Sequence, residues 1–207
     1  MTPDPNRTIR FYFDFVSPFA YLANVRLPEL AGKYGAQIVY HPVDVMHAKL
    51  AAGNYGPSTR SIPTKARYIR QDRLRWAARY GVPMNDPKQP RAPRLNSGVF
   101  HAARAGMAEA YVNAAFHQVW GLGGDPDDDA LLAVIARELK WDAATFLAYV
   151  NSADARREYQ ESQREAHQRG VFGTPTMTVG DEMYWGNDRL EFLEEYLASA
   201  AKAKGRS

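Results

Sequence analysis

Two stretches decide the reading: FYFDFVSPFAYLA, Phe11 to Ala23, and GVFGTPTM, Gly170 to Met177. In the first, an apolar, β-rich run from Ile9 to Phe15 stops at Ser17-Pro18. Apolar residues then recur at helical spacing through Phe19, Leu22, Leu27 and Leu30, which predicts strand, turn, helix. Serine before proline suits a helix start, because the Ser17 oxygen can accept an orphan backbone N–H while Pro18 has the right φ and lacks an unneeded donor. Capping alone accounts for both residues. In the second stretch Thr174-Pro175 lies between a glycine turn and an apolar strand, Thr176 to Val179. Cis X-Pro bonds are about 5–6% of such bonds, so the residues by themselves favour trans.

The chain of 207 residues contains no cysteine. Disulfide exchange, catalysis by a thiolate of the protein's own, and cysteine-bound zinc or iron–sulfur clusters are therefore excluded. A 45% hydrophobic content fits one or two compact units with a sizeable core. There is no apolar run at the N-terminus and no stretch of about eighteen apolar residues, so neither secretion nor membrane spanning is expected, and a cytoplasmic enzyme is the default. The net charge of +3 is too small to argue for nucleic acid. Arg60, Lys65, Arg67, Arg70, Arg73, Arg75 and Arg79 concentrate positive charge locally, but their spacing scatters it around a helix, as on a solvated face.

Several motifs fail on their spacing. Asp125, Asp127 and Asp129 alternate like a calcium loop, but Ala130 stands in place of the needed glycine and Ala136 in place of the bidentate glutamate, so they read as helix-start residues. The five histidines show no HxxxH or HExxH spacing and no metal site is assigned. GLGG lacks the strand and helix context of a nucleotide fingerprint, and Ser17 lacks the flanking glycines of a hydrolase elbow. In GDEMYWGNDRL (Gly180 to Leu190), Gly180-Asp181 reads as a hairpin turn between Thr176 to Val179 and Met183 to Trp185. Asn187 or Asp188 would then cap a final amphipathic helix with Leu190, Leu193 and Leu197.

Taken together, the two opening stretches resemble a thioredoxin-type active site rebuilt without cysteine, with Ser17-Pro18-Phe19-Ala20 where such proteins carry their two-cysteine motif. What remains is a cradle for an external thiolate at a helix N-terminus, whose partial positive charge and free N–H donors lower a thiol pKa. The resembled fold places a cis-proline opposite that helix, so a cis Thr174-Pro175 is implied, its strand edge presenting N–H and C=O to the cysteinyl part of a bound peptide.

The chain resembles, nearly end to end, the 2-hydroxychromene-2-carboxylate isomerases, relatives of kappa-class glutathione transferases on a DsbA-like fold. The likeness is carried by the serine turn, GNYGPSTR (Gly53 to Arg60), YIRQDRLRWAARYGVP (Tyr68 to Pro83), YVNAAFHQVWG (Tyr111 to Gly121), VFGTPTM and GDEMYWGNDRL. It implies glutathione as cofactor, with Ser17 catalytic. Ser17, Pro18, Phe19, Thr174 and Pro175 would lie around the sulfur, Trp185, Gly186, Asn187 and Asp188 at the γ-glutamyl end, and Asn54 and Lys65 at the glycyl end. Lys49, Thr59 and Arg60 would hold the substrate, an aromatic α-keto acid in cyclic hemiketal form. The implied reaction belongs to aromatic hydrocarbon (naphthalene-type) catabolism, and such proteins are typically homodimers. A kappa-type transferase would use the same sulfur cradle on other electrophiles, and a non-catalytic thioredoxin-like binding module is the third reading.

The implied architecture is α/β, a thioredoxin-like βαβ…ββα unit split by a large all-helical insertion. Residues 1–45 and 170–207 form the thioredoxin-like domain and 46–169 the insertion. Breaks within the insertion are expected at Gly81-Val82-Pro83, at Pro87 to Pro93 and at Gly121 to Asp129, all turn chemistry between periodic segments.

Overall fold

The computed structural model describes residues 4–204; the side chains of Arg60, Lys202, Ala203 and Lys204 lie outside the described residues. Strand β1 (Thr8–Phe13), helix α1 (Pro18–Tyr34) and strand β2 (Gln37–Pro42) form the expected β-α-β unit. The two strands run parallel, in register from Thr8 opposite Gln37 to Phe13 opposite Pro42. Ile9, Phe11, Tyr12 and Phe13 are all fully buried, since helices cover both faces of β1, and so the strand reads as a nearly unbroken apolar run.

The chain then turns helical: α2 (Val45–Ala51), α3 (Pro63–Tyr80), α4 (Pro93–Arg104), α5 (Ala108–Phe116), a π-helical turn (His117–Gly121), α6 (Asp129–Glu138), α7 (Ala143–Val150) and α8 (Ala153–Gln168). It returns as β3 (Thr176–Val179), β4 (Glu182–Trp185) and α9 (Leu190–Lys204). The sheet order is β2-β1-β3-β4. Strand β3 lies antiparallel to β1, with Arg10 opposite Thr178, and to β4 through the two-residue turn at Gly180-Asp181.

The three expected breaks hold. Helix α3 stops before Gly81, α4 begins at Pro93, and α6 begins at Asp129 behind an Asp128 cap whose side chain accepts from Ala130 N–H. Asp127 and Asp129 bond Arg94. On α3 the basic residues Lys65, Arg67, Arg70, Arg75 and Arg79 are exposed, as expected of a solvated face. Arg73 departs from that pattern: it is buried, 2.6 Å from Asp86, with its guanidinium 5.5 Å from the centre of the Trp120 ring. The start of the last helix also differs from expectation. Neither Asn187 nor Asp188 caps it; a 3₁₀ turn, Asn187–Arg189, follows Gly186 and has no side-chain cap. Gly186 takes φ 111°, which leaves these residues inside the turn rather than before it.

One cluster of buried side chains runs from the sheet into the helices. Phe15, just beyond β1, stacks edge-on against Phe116 at 4.8 Å and Tyr111 at 6.0 Å. The helices thus pack directly beneath the turn that carries Ser17.

Candidate active site

Ser17 sits at the N-cap of α1 and is 6% exposed. Its Oγ accepts from Ala20 N–H at 3.3 Å, and its carbonyl from Tyr21 N–H at 3.1 Å. Pro18 has no donor to give, which leaves the Phe19 N–H with no acceptor among the described residues. A helix N-terminus with an unused donor beside a hydroxyl is a favourable place for negative charge. The Ser17 hydroxyl donates in turn to Thr174 O at 3.4 Å, a long and weak bond. The Thr174-Pro175 peptide is cis, so the two stretches that lead the sequence reading meet at one point.

A cavity of about 430 Å³ opens there, within the ~300–1,000 Å³ typical of small-molecule sites. Phe19, Thr174 and Pro175 form its floor, Trp185 to Arg189 one wall, and Tyr68, Asp72 and Trp76 of α3 the other. Gly186 shapes the first wall: its N–H donates to Pro175 O at 2.9 Å, and a Cβ at this position would run into Asp188 Oδ1. Any other residue would also be strained at its φ. Asp188 pairs with Arg189 at 2.8 Å, both side chains about half exposed, a pairing worth little in solvent. Two buried polar atoms of lining residues have no hydrogen-bond partner among the described residues, Thr174 Oγ1 and Asn187 Nδ2. Asn187 is 4% exposed, and its amide lies beside the Tyr80 hydroxyl without reaching hydrogen-bond geometry. Buried polar groups are nearly always satisfied, so this wall suits a polar ligand that bonds to it.

Of the residues singled out in the sequence, Phe19, Thr174, Pro175, Trp185, Gly186, Asn187 and Asp188 line this cavity, while Ser17, bonded to Thr174 O, and Pro18 adjoin it without lining it. Lys49, Asn54, Thr59 and Lys65 do not line it. They lie on α2, on the connection to α3 and on the first turn of α3, where Lys49 Nζ donates to Gly56 O at 2.7 Å and Asn54, Thr59 and Lys65 are exposed. Arg60 is a side chain outside the described residues. Sequence reasoning missed Asp72, Tyr68 and Arg189. The spacing Tyr68-Asp72-Trp76 puts the first two of these on one stripe of α3, and that stripe was a usable signal.

These features define a class. Residues 8–198 match the DSBA-like thioredoxin domain. Over 191 residues the chain is 47% identical to the 2-hydroxychromene-2-carboxylate isomerase of Sphingobium xenophagum, covering 92% of this chain and 98% of that protein. It is 45% identical over 186 residues to the protein of the same name from Pseudomonas putida, covering 90% and 92%. A solved structure of 2-hydroxychromene-2-carboxylate isomerase superimposes with a TM-score of 0.92 at 42% identity, over 96% of this chain and 98% of that one. The chain belongs to the 2-hydroxychromene-2-carboxylate isomerase family of DSBA-like thioredoxin proteins.

Among the described residues no helix is long and apolar enough to cross a membrane, and no cluster of side chains could hold a metal ion.

Proposed function

We propose that this protein is a glutathione-dependent isomerase that interconverts 2-hydroxychromene-2-carboxylate and trans-o-hydroxybenzylidenepyruvate. The observation that carries the reading is the meeting of Ser17, the uncommitted Phe19 N–H and the Thr174-Pro175 edge in a cysteine-free chain of this family. The unpartnered Thr174 Oγ1 and Asn187 Nδ2 fit glutathione. When bound, glutathione supplies the thiolate whose reversible addition to the conjugated double bond of the ring-opened keto acid permits rotation.

The chain's own residues do the rest. The Ser17 hydroxyl leaves its weak bond to Thr174 O and donates toward the sulfur position, and the Phe19 N–H with the α1 N-terminus adds positive potential there. A free thiol of pKa ~8.5 is only a few per cent ionised at pH 7, and a fall of two units, worth ~2.7 kcal/mol, leaves most of it as thiolate. Trp185, Gly186, Asn187 and Asp188 hold the γ-glutamyl end, where Asp188 faces an ammonium. Asn54 and Lys65, exposed and outside the cavity lining, would take the glycyl end only where it extends past the cavity. Lys49, Thr59 and Arg60 orient the substrate carboxylate and stabilise charge as it develops on the keto oxygen. The reading carries with it a cytoplasmic homodimer serving naphthalene-type aromatic hydrocarbon catabolism.

The test follows the ultraviolet spectrum of purified protein mixed with 2-hydroxychromene-2-carboxylate, with and without glutathione. Fast conversion only with glutathione is the expected result. Glutathione binding without conversion would move the assignment to a kappa-type transferase acting on another electrophile. Within the isomerase reading, Lys49→Met should raise the KM for the keto acid about tenfold, the scale of one charge-assisted hydrogen bond, and leave the glutathione constant in place. A change in the glutathione constant alone would put this lysine on the cofactor side.

A further inference from the structure

The link from β1 to α1 is clamped at three successive backbone donors. Phe15 N–H donates to Asn96 Oδ1 at 3.3 Å, Val16 N–H to Asp14 Oδ1 at 3.3 Å, and Ser17 N–H to Asp14 O at 2.9 Å. Phe15 O accepts from Trp120 Nε1 at 2.8 Å. Asp14 is the hub. It is 3% exposed, its Oδ1 also accepts from Asn96 Nδ2 at 3.1 Å, and its Oδ2 accepts from Val45 N–H, the first residue of α2, at 3.0 Å. Asn96 is itself 1% exposed and anchored to the Tyr159 hydroxyl of α8 at 2.9 Å.

Each group hydrogen-bonded to this carboxylate donates to it, so the anion satisfies all of them, whereas a proton or an amide NH₂ would point a hydrogen at one of them. Burial works the other way and pushes the Asp14 pKa up to about 6, offset in part by Val45, Asn96 and Val16. The titratable groups that face Asp14 are Asp44, which caps α2 through Met46 and His47 N–H and raises the Asp14 pKa further, and Tyr159, which burial holds far above its usual range.

We propose that Asp14 is a positioning residue: its ionised carboxylate is a single clasp that fixes the Ser17 turn and the first turn of α2 together, setting the spacing between Ser17 and Lys49. The link to turnover rests on the isomerase reading, while the clasp itself is independent of it.

The experiment is a titration of the intact wild-type protein by NMR from pH 8 to pH 5, following the Asp14 carboxyl carbon and the amides of Phe15, Val16 and Val45. The clasp predicts one shared midpoint near 6. In Asp44→Asn, which keeps a capping side chain, the shared midpoint should persist and move to lower pH. Separate midpoints, or amides that do not follow Asp14, would overturn the proposal without any need for an Asp14 variant to fold. In turnover, Asp14→Asn should lower kcat about ten- to a hundredfold, the scale of a small misplacement of reacting groups. It should also remove the loss of activity that accompanies protonation of Asp14, with glutathione affinity within about threefold. An unchanged kcat and pH profile in the variant would overturn the proposal. Shared titration in a protein that does not isomerise the chromene would leave the clasp standing and refute only the assigned reaction.

Discussion

Ser17→Ala should lower kcat about ten- to a hundredfold while glutathione affinity stays within severalfold. A hydrogen bond to a charged partner is worth roughly 1.5–3 kcal/mol, and each 1.36 kcal/mol of barrier is a factor of ten. On the glutathione-dependent reading the loss falls on turnover, because the serine would distinguish thiolate from thiol while the peptide ends of the cofactor would be held elsewhere. The sign in pH follows. With serine present the bound thiol ionises at lower pH; without it, the acid side of the activity profile moves up, and this is read directly from thiolate absorbance of bound glutathione against pH. The same substitution removes the acceptor for Ala20 N–H, a cap worth about 1 kcal/mol. That is small beside a typical stability of 5–15 kcal/mol, so the variant stays folded and its kinetics are interpretable. An unchanged profile would take Ser17 out of the mechanism.

Gly98→Ala should destabilise the protein by about 1–5 kcal/mol, although glycine to alanine inside a helix ordinarily stabilises by ~1 kcal/mol. Gly98 lies on α4, and a Cβ there would overlap the Tyr111 hydroxyl and stand 2.6 Å from its Cζ and 2.9 Å from Phe146 Cζ. Tyr111 cannot easily retreat. It is fully buried, donates to Leu95 O at 2.7 Å, and packs on Phe15, Trp141 and Phe146 with ring centres 5.8–6.0 Å away. Overpacking costs ~1–3 kcal/mol, and breaking the Tyr111 bond leaves its buried hydroxyl without an acceptor at a further ~1–3 kcal/mol. Urea denaturation would read this as a lower midpoint at constant slope. Gly98→Ala combined with Tyr111→Phe should recover part of the loss, and a neutral Gly98→Ala would mean that α4 and α5 pack less tightly than these distances require.

What could be read from the chain divides along a physical line. Ser17-Pro18, the hairpin at Gly180-Asp181 and the stops at Gly81 and Pro93 are local chemistry, and each is where the sequence puts it. The cis Thr174-Pro175 bond was implied by resemblance, against the general preference for trans. The Asn187 or Asp188 cap was misread because Gly186, with its positive φ, moves the turn forward by a residue. Asp14, Asn96, Trp120 and Tyr159 were missed altogether. Asn96 and Trp120 reach the Ser17 turn from 81 and 105 residues away along the chain, Tyr159 holds Asn96 from a further 63, and no periodicity reports such contacts. Asp14 alone left a trace, as a carboxylate inside the apolar run FYFDFV, which a protein buries only when donors surround it.

The way the sheet closes has a consequence for synthesis. Ser17 meets Thr174 across 157 residues, and β1 gains its antiparallel neighbour only when β3 has been made. At ~5–20 residues per second on the ribosome, the wait is roughly 8–30 s. During that interval one edge of the most apolar strand has no strand beside it, the condition that invites pairing with other chains. Any interrupted product that ends within the helical region is therefore sticky, and it also lacks half the cavity. Activity begins only when the last hairpin has been laid down.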